Sequence, residues 1–239
     1  MSSAPTLVLL PGLDGTGDLF APFLAVAQQR FSVQVLRYDH ERDQSAARLA
    51  RTLLRALPSD RPFALVGESF GSPIALRLAA SAPRGLSAVV LVNGFARTPF
   101  SLGVAAFAPP LGWSLARGLS RSPEWALRRY LLGDAAPPGL VAATRQALRN
   151  VPSSTLHARL SGLAVCDETE SYLRCTAPMF YLRSTEDRLL GGGALALLEY
   201  LRPGLCVESI AAPHLLLQRA PEAALATLAR LLLDDRQRA

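Results

Sequence analysis

The pentapeptide Gly-Glu-Ser-Phe-Gly at residues 67–71 places a hydroxyl between two glycines, a spacing that suits a serine nucleophile. It follows an apolar run at residues 63–66 and precedes a helical pattern, which indicates a sharp turn from strand to helix. Such a turn lifts the Ser69 hydroxyl above a sheet, and the glycines let neighbouring backbone pass close. The Phe70 N–H would face the negative charge that develops on attack. The pattern predicts covalent catalysis by Ser69, the alternative being a glycine-rich turn that Ser69 caps.

A serine nucleophile needs a base, and the chain contains three histidines. His214 lies between the last strand pattern and the last helical pattern, where a loop at the carboxyl edge of a sheet can carry an imidazole to Ser69. His40 lies in a charged loop and His157 in a long segment without strand patterns, and we interpret both as structural. The sequence therefore predicts His214 as the base.

The imidazole in turn needs a carboxylate that fixes its tautomer and stabilises its charged form. Asp187 directly follows the strand pattern Met179–Arg183 and is the predicted partner of His214. There are two alternatives. Glu186, its neighbour, could be the partner instead, or Asp187 could lie in a surface loop without such a role.

Short apolar runs alternate with helical patterns around these residues. The predicted strands are Thr6–Leu10, Val33–Leu36, Phe63–Val66, Ala88–Val92, Met179–Arg183 and Cys206–Ile210. Predicted helices begin after Asp18 and cover Ser45–Leu57, Phe70–Ser81, Ala194–Leu201 and Pro221–Leu232. This alternation predicts an α/β fold with a parallel sheet and helices on both faces. A length of 239 residues, half of them hydrophobic, fits one domain with a modest insertion.

The alternation stops after Gly94 and resumes at Met179. The residues between them are rich in proline, glycine and arginine, with helical patches at Ser122–Leu132 and Pro138–Asn150. An insertion between two strands of one sheet explains this pattern better than two domains in series.

All 25 basic residues are arginine, and the formal net charge is +6. The stretch from Ala96 to Val165 holds eight arginines against Glu124 and Asp134, so the whole excess lies there. Helical spacing predicts basic faces, which either are merely solvated or attract an anionic substrate or an acidic partner. The candidate contacts are Arg117, Arg121, Arg128, Arg145 and Arg149, together with Trp113. No nucleic-acid-reading module accompanies these arginines, so we expect no nucleic-acid partner.

The order Ser69, Asp187, His214, the turn at residues 67–71 and the alternating elements resemble the α/β-hydrolase family over nearly the whole chain. In that family a second oxyanion donor comes from the loop after the first long strand, which implies the Leu13 N–H beside that of Phe70. The loop reads Leu-Pro-Gly-Leu-Asp-Gly-Thr-Gly at residues 10–17, similar to plant phytyl ester synthases and related esterases or acyltransferases. The resemblance implies about six strands, a core of residues 1–95 and 175–239, and a helical cap at residues 96–174.

The resemblance further implies a serine hydrolase of carboxylic acyl esters, without a cofactor or metal ion. The alternative enzyme is a thioesterase, acyl carrier protein methyl esterase or acyltransferase that docks a carrier protein on the basic cap. Outside enzymes, the alternative is a non-catalytic binding protein on the same fold. The expected partner is a small acyl ester or thioester, with an acyl carrier protein as the further candidate.

The three cysteines have spacings that match no common zinc or redox motif, which favours a reducing compartment. The N-terminal residues lack a basic region, and the apolar run at residues 7–10 is too short for a signal peptide. We expect a cytoplasmic protein without a transmembrane segment.

Overall fold

The computed structural model describes residues 4–99 and 111–234, and a six-stranded sheet lies at its centre. Its strands are β1 (Thr6–Leu10), β2 (Val33–Val35), β3 (Phe63–Glu68), β4 (Leu86–Val92), β5 (Met179–Ser184) and β6 (Cys206–Ile210). They lie side by side in the order β2-β1-β3-β4-β5-β6, and every neighbouring pair is parallel. The carboxyl ends of all six strands therefore share one edge, where the connecting loops can meet.

Helices cover both faces of the sheet, as the alternation predicts. One face packs against α1 (Ala21–Ala27), α10 (Leu216–Arg219) and α11 (Pro221–Ala229). The other packs against α2 (Ala46–Leu53), α3 (Gly71–Ala80) and α9 (Gly193–Leu201). The central strands β1 and β3 are buried along their whole length, which explains their continuous apolar runs.

The helix ends differ from the sequence prediction by a few residues. The second helix ends at Leu53 and continues as a 3-10 turn over Leu54–Ala56 before Pro58. The helix after residue 70 spans Gly71–Ala80, and the last α-helix is followed by a π-helical turn at Arg230–Asp234. No described helix is both long and apolar enough to cross a lipid bilayer.

Residues 96–174, which we call the inserted segment, carry helices and no strand of the sheet in their described part. The helices are α4 (Leu111–Ser120), α5 (Glu124–Leu127), α6 (Pro138–Asn150), α7 (Ser153–Ala164) and α8 (Thr169–Arg174). Helices α4, α7 and α8 were not predicted from the sequence, and the predicted patch at residues 122–132 is α5 followed by a π-helical turn, Arg128–Leu132.

The inserted segment packs on the carboxyl edge of the sheet through an apolar cluster. The cluster joins side chains of α5, the π-helical turn and α6 to Leu19 and Leu215 from the loops after β1 and β6. Near the C-terminal end of the inserted segment, Glu168 forms an ion pair with Arg77 of α3, with an N–O distance of 2.7 Å. The segment therefore lies over the loops that carry the predicted site residues.

Candidate active site

Ser69 lies in the turn between β3 and α3, in a strained backbone conformation. Its φ of 51° is in the left-handed region, which few residues other than glycine adopt. A side chain at Gly71 would overlap the carbonyl oxygen of Leu10, and a side chain at Gly67 would lie 2.8 Å from the carbonyl oxygen of Gly71. The two glycines are therefore required by close backbone approach, as the sequence indicates.

His214 and Asp187 continue from Ser69 in one line of hydrogen bonds. His214 Nε2 lies 3.0 Å from Ser69 Oγ, and His214 Nδ1 lies 2.7 Å from Asp187 Oδ2. The second carboxylate oxygen of Asp187 accepts the N–H groups of Leu189 and Leu190 at 2.7 and 3.0 Å. Burial alone would raise the pKa of Asp187, but the hydrogen bonds from His214 and these N–H groups outweigh it and lower that pKa.

The other candidates for these positions lie elsewhere. Glu186 is exposed, so Asp187 is the carboxylate that meets His214. His40 is exposed, and neither it nor His157 lines the cavity beside Ser69.

The loop that carries His214 is held by two polar residues that sequence reasoning missed. Asn93 follows β4 with a φ of 44°, and its Nδ2 donates to the His214 carbonyl oxygen at 2.7 Å. Asn93 also exchanges hydrogen bonds with Ser184, whose hydroxyl donates to the Pro213 carbonyl oxygen at 2.7 Å. The signal was available in the Asn-Gly pair that ends β4, since Asn tolerates the left-handed region.

The loop after β1 brings the predicted oxyanion donor to the same edge. Pro11, Gly12 and Leu13 line the cavity that Ser69 also lines. The Gly15 N–H donates to the Gly12 carbonyl oxygen at 3.1 Å, which closes a tight turn around Leu13. Within residues 4–99 and 111–234, neither the Leu13 N–H nor the Phe70 N–H has a hydrogen-bond acceptor. Neither N–H is therefore committed to another described group, and of the two residues Leu13 lines the cavity whereas Phe70 does not.

A cavity of about 290 Å³ opens beside Ser69, and its walls are mainly apolar. The wall from the inserted segment consists of Leu119, Ser122, Ala126, Leu127, Tyr130, Leu131, Thr144, Leu148, Leu160 and Leu163. The wall from the sheet side includes Leu19, Phe20, Phe95, Leu189, Leu190 and Leu215. Such a cavity suits an apolar group attached to the bond that Ser69 would attack.

Glu68 supplies a buried carboxyl at the floor of this cavity. The residue is 1% exposed, and its carboxylate accepts from Gln218 Nε2 at 2.8 Å. Burial raises the pKa of Glu68 to about 7, although the hydrogen bond from Gln218 acts to lower it.

The arginines singled out from the sequence do not line this cavity. Arg117, Arg121 and Arg149 are exposed. Arg128 and Arg145 pair with Glu124 at 2.8 and 3.8 Å. The side chain of Trp113 lies outside the described part of the structure. Among the described residues no three His, Cys, Asp or Glu side chains come together as a metal site.

Comparison with known proteins agrees with this geometry at the level of the family. A profile described as the alpha/beta hydrolase family matches residues 7–231. RutD of Escherichia coli strain 042, provisionally named a carbamate hydrolase, is 35% identical over 108 residues, which are 40% of this chain and 39% of that protein. RutD of Klebsiella pneumoniae strain 342 is 38% identical over 104 residues, 38% of each chain. The matched part thus spans about two fifths of these curated relatives.

Two solved structures share the fold over nearly their whole length. The enol-lactonase from Burkholderia xenovorans LB400 has a TM-score of 0.76 at 19% identity, covering 97% of this chain and 92% of that one. A hydrolase from Pseudomonas aeruginosa PA01 has a TM-score of 0.72 at 23% identity, covering 96% and 90%. The family profile matches nearly the whole sequence, and the structure has a six-stranded parallel sheet. The chain therefore belongs to the alpha/beta hydrolase family.

Proposed function

We propose that this hydrolase cleaves small, uncharged acyl esters through a covalent acyl-enzyme on Ser69. The observation that carries the proposal is the line of hydrogen bonds from Asp187 through His214 to Ser69, at the wall of an apolar cavity. A serine beside a base that a carboxylate orients is the arrangement for acyl transfer.

In the first half of the reaction, Ser69 Oγ attacks the ester carbonyl carbon and its proton passes to His214 Nε2. Asp187 accepts the hydrogen bond of His214 Nδ1–H, which leaves Nε2 free to take that proton. The carbonyl oxygen becomes an oxyanion, and the Leu13 and Phe70 N–H groups stabilise it. When the tetrahedral species collapses, the proton on Nε2 goes to the departing alkoxide, which leaves as the alcohol.

In the second half, a water molecule replaces the alcohol. His214 Nε2 takes a proton from the water as its oxygen attacks the acyl carbon. The oxyanion forms again at the same two N–H groups and collapses with release of Ser69 Oγ, which regains its proton from His214. The carboxylic acid is the second product, and the enzyme returns to its starting state.

The cavity favours an uncharged acyl group. Among the described residues that line it, Asp14 and Glu68 carry carboxyl groups and none is an arginine. A negatively charged acyl group would meet these carboxyls without a basic partner. Arg128 and Arg145 pair with Glu124, whereas Arg117, Arg121 and Arg149 are exposed. A carrier-borne thioester, which the same chemistry would serve, is therefore the alternative to a small ester.

We also propose that residues 96–174 act as a cap on a core of residues 1–95 and 175–239. Thr144 and Leu148 of α6 and Leu160 and Leu163 of α7 supply one wall of the cavity. The inserted segment would therefore set the length and shape of the acyl group.

Similarity to RutD favours carbamates as a second substrate class. A carbamate also presents a carbonyl to Ser69, and the group that leaves from it, an amine or an alcohol, would take the proton from His214. The same residues would serve, so only a substrate comparison separates the two classes.

The test combines a fluorophosphonate probe, which labels activated serines, with a panel of uncharged p-nitrophenyl esters and carbamates. We expect wild type to be labelled and to prefer short esters. Ser69→Ala should lose labelling, with turnover lower by about 10⁴-fold or more. Ser154→Ala, which changes an exposed serine on α7, is the matched control and should equal wild type.

Folded wild type that is neither labelled nor active would favour a non-catalytic binding protein. Cleavage of carbamates alone would reject the ester and keep the mechanism. Turnover of anionic esters in preference to uncharged ones would overturn the substrate class.

A further inference from the structure

Arg159 is fully buried, although it belongs to the arginine-rich inserted segment. It lies on α7 among Leu156, Leu160 and Leu163, which face the hydrophobic core. A guanidinium is charged at any working pH, so its burial requires several acceptors around it.

The acceptors of Arg159 belong to the loop after β1 (residues 11–17), which we call the oxyanion loop, and to the loop after β2. Nη1 donates to the carbonyl oxygens of Leu13 and Asp14 at 2.8 and 2.7 Å. Nε donates to Gln44 Oε1 at 3.0 Å, and Nη2 to the Asp39 carbonyl oxygen at 3.2 Å. A side chain of the inserted segment thus holds two successive carbonyl groups of the loop that carries the predicted oxyanion donor.

These bonds determine where the Leu13 N–H points, through two planar peptide groups. The carbonyl of Asp14 and the N–H of Gly15 belong to one peptide, so Arg159 fixes the direction of that N–H. The Gly15 N–H donates to the Gly12 carbonyl oxygen at 3.1 Å. That hydrogen bond crosses the turn to the peptide between Gly12 and Leu13, in which the Gly12 carbonyl and the Leu13 N–H point in opposite directions.

Tyr38 closes the same cluster from the other side. Its hydroxyl donates to the Pro11 carbonyl oxygen at 2.8 Å, and its ring lies 5.4 Å from Arg159 Cζ. The ring also contacts that of Phe70, with centroids 6.0 Å apart, beside the second oxyanion donor. A Cβ at Gly15 would lie 2.6 Å from Arg159 Nη1, so the glycine of the loop motif leaves room for the guanidinium.

From this geometry we propose that Arg159 is a positioning residue for the oxyanion hole, so that docking of the inserted segment completes the catalytic site. This rests on the proposed function of Ser69. Arg159 does not line the cavity, so its role concerns the transition state and not the binding of the substrate.

The test uses Arg159→Met and Arg159→Lys in the full chain, with Arg129→Met as the matched control. Arg129 is an exposed arginine of the same segment, outside the cavity lining. On a short p-nitrophenyl ester, Arg159→Met should lower kcat about 100- to 1,000-fold, the effect of losing one oxyanion donor, and change KM less than about threefold. Arg159→Lys should lie between Arg159→Met and wild type, because an ammonium can still donate to one or two of the carbonyls.

Two further measurements separate positioning from general loss of structure. A trifluoromethyl ketone forms an oxyanion on the serine, so its inhibition constant should rise by the same factor by which kcat falls. Hydrogen exchange in the peptide covering residues 11–17 should be faster in the Arg159 variants, while exchange in β4 stays as in wild type. If Arg159→Met does not fold, Arg159→Lys supplies the same three measurements.

The proposal would be overturned if either Arg159 variant folded and kept the wild-type kcat and ketone affinity. It would also be overturned if a rise in KM accounted for the whole loss of kcat/KM. Failure of the proposed function looks different, because wild type and Arg129→Met would then also lack ester turnover and labelling at Ser69. In that case the positioning role of Arg159 at the oxyanion hole is rejected together with the proposed function of Ser69.

Discussion

Replacing Glu68 by glutamine should change how stability depends on pH. Glu68 is buried, and burial raises its pKa from an ordinary value of 4.5 to about 7. The folded chain therefore keeps a proton that the unfolded chain has already lost. This contribution to stability is fully present below about pH 4.5 and is lost as the pH rises towards 7. The loss amounts to about 3 kcal/mol in the free energy of unfolding, at about 1.4 kcal/mol for each pH unit.

Glu68→Gln keeps the size of the side chain and removes its titration. Urea unfolding at a series of pH values from 4 to 8 should show the variant gaining about 3 kcal/mol relative to wild type as the pH rises. Glu199→Gln, an exposed change on α9, is the control and should follow wild type throughout. Parallel curves for wild type and Glu68→Gln would refute the reasoning, because they would mean that Glu68 ionises alike in both states.

Three other changes test the scaffold around the site. Asn93→Asp, which removes two buried donors, should lower the free energy of unfolding by about 3 kcal/mol and reduce ester turnover, as measured by urea unfolding and steady-state kinetics. Gly15→Ala should destabilise the folded chain more than Gly204→Ala, as measured by thermal unfolding. Both glycines have a positive φ, but only at Gly15 would a Cβ meet other atoms. Arg77→Met should lower the free energy of unfolding by about 1 kcal/mol, measured in the same way, because Arg77 is partly exposed and the buried carboxylate of Glu168 keeps the hydrogen bond from the Ser171 hydroxyl.

Most of the sheet could be predicted because its strands are short apolar runs bounded by turn residues. Ser69, Asp187 and His214 could be placed because each follows a strand, and parallel strands carry their carboxyl ends to one edge. The helices α4, α7 and α8 were missed. Polar residues weaken the apolar periodicity of α7 and α8, and Gly112 and Gly118 interrupt the helical pattern of α4.

The remaining site residues depend on pairings across long stretches of chain. Asn93 reaches Ser184 only because β4 and β5 are neighbours in the sheet, which a local pattern does not reveal. Arg159 was counted from the sequence as one of the basic residues of the insertion, and the structure buries it instead. The usable signal was its spacing of three and four residues from Leu156 and Leu163, which places a charge within the apolar stripe of a helix.

The bond between Arg159 and the oxyanion loop also has a consequence for biosynthesis. The loop leaves the ribosome first, and the arginine that binds the Leu13 carbonyl follows 146 residues later. At ordinary translation speeds this interval is on the order of 10 s. During that time the nascent chain carries Ser69 without His214, the base of the proposed mechanism, and without Arg159 at the loop. On the proposed mechanism, a growing chain would therefore have no esterase activity until His214 and Arg159 have both been made and have reached the loop.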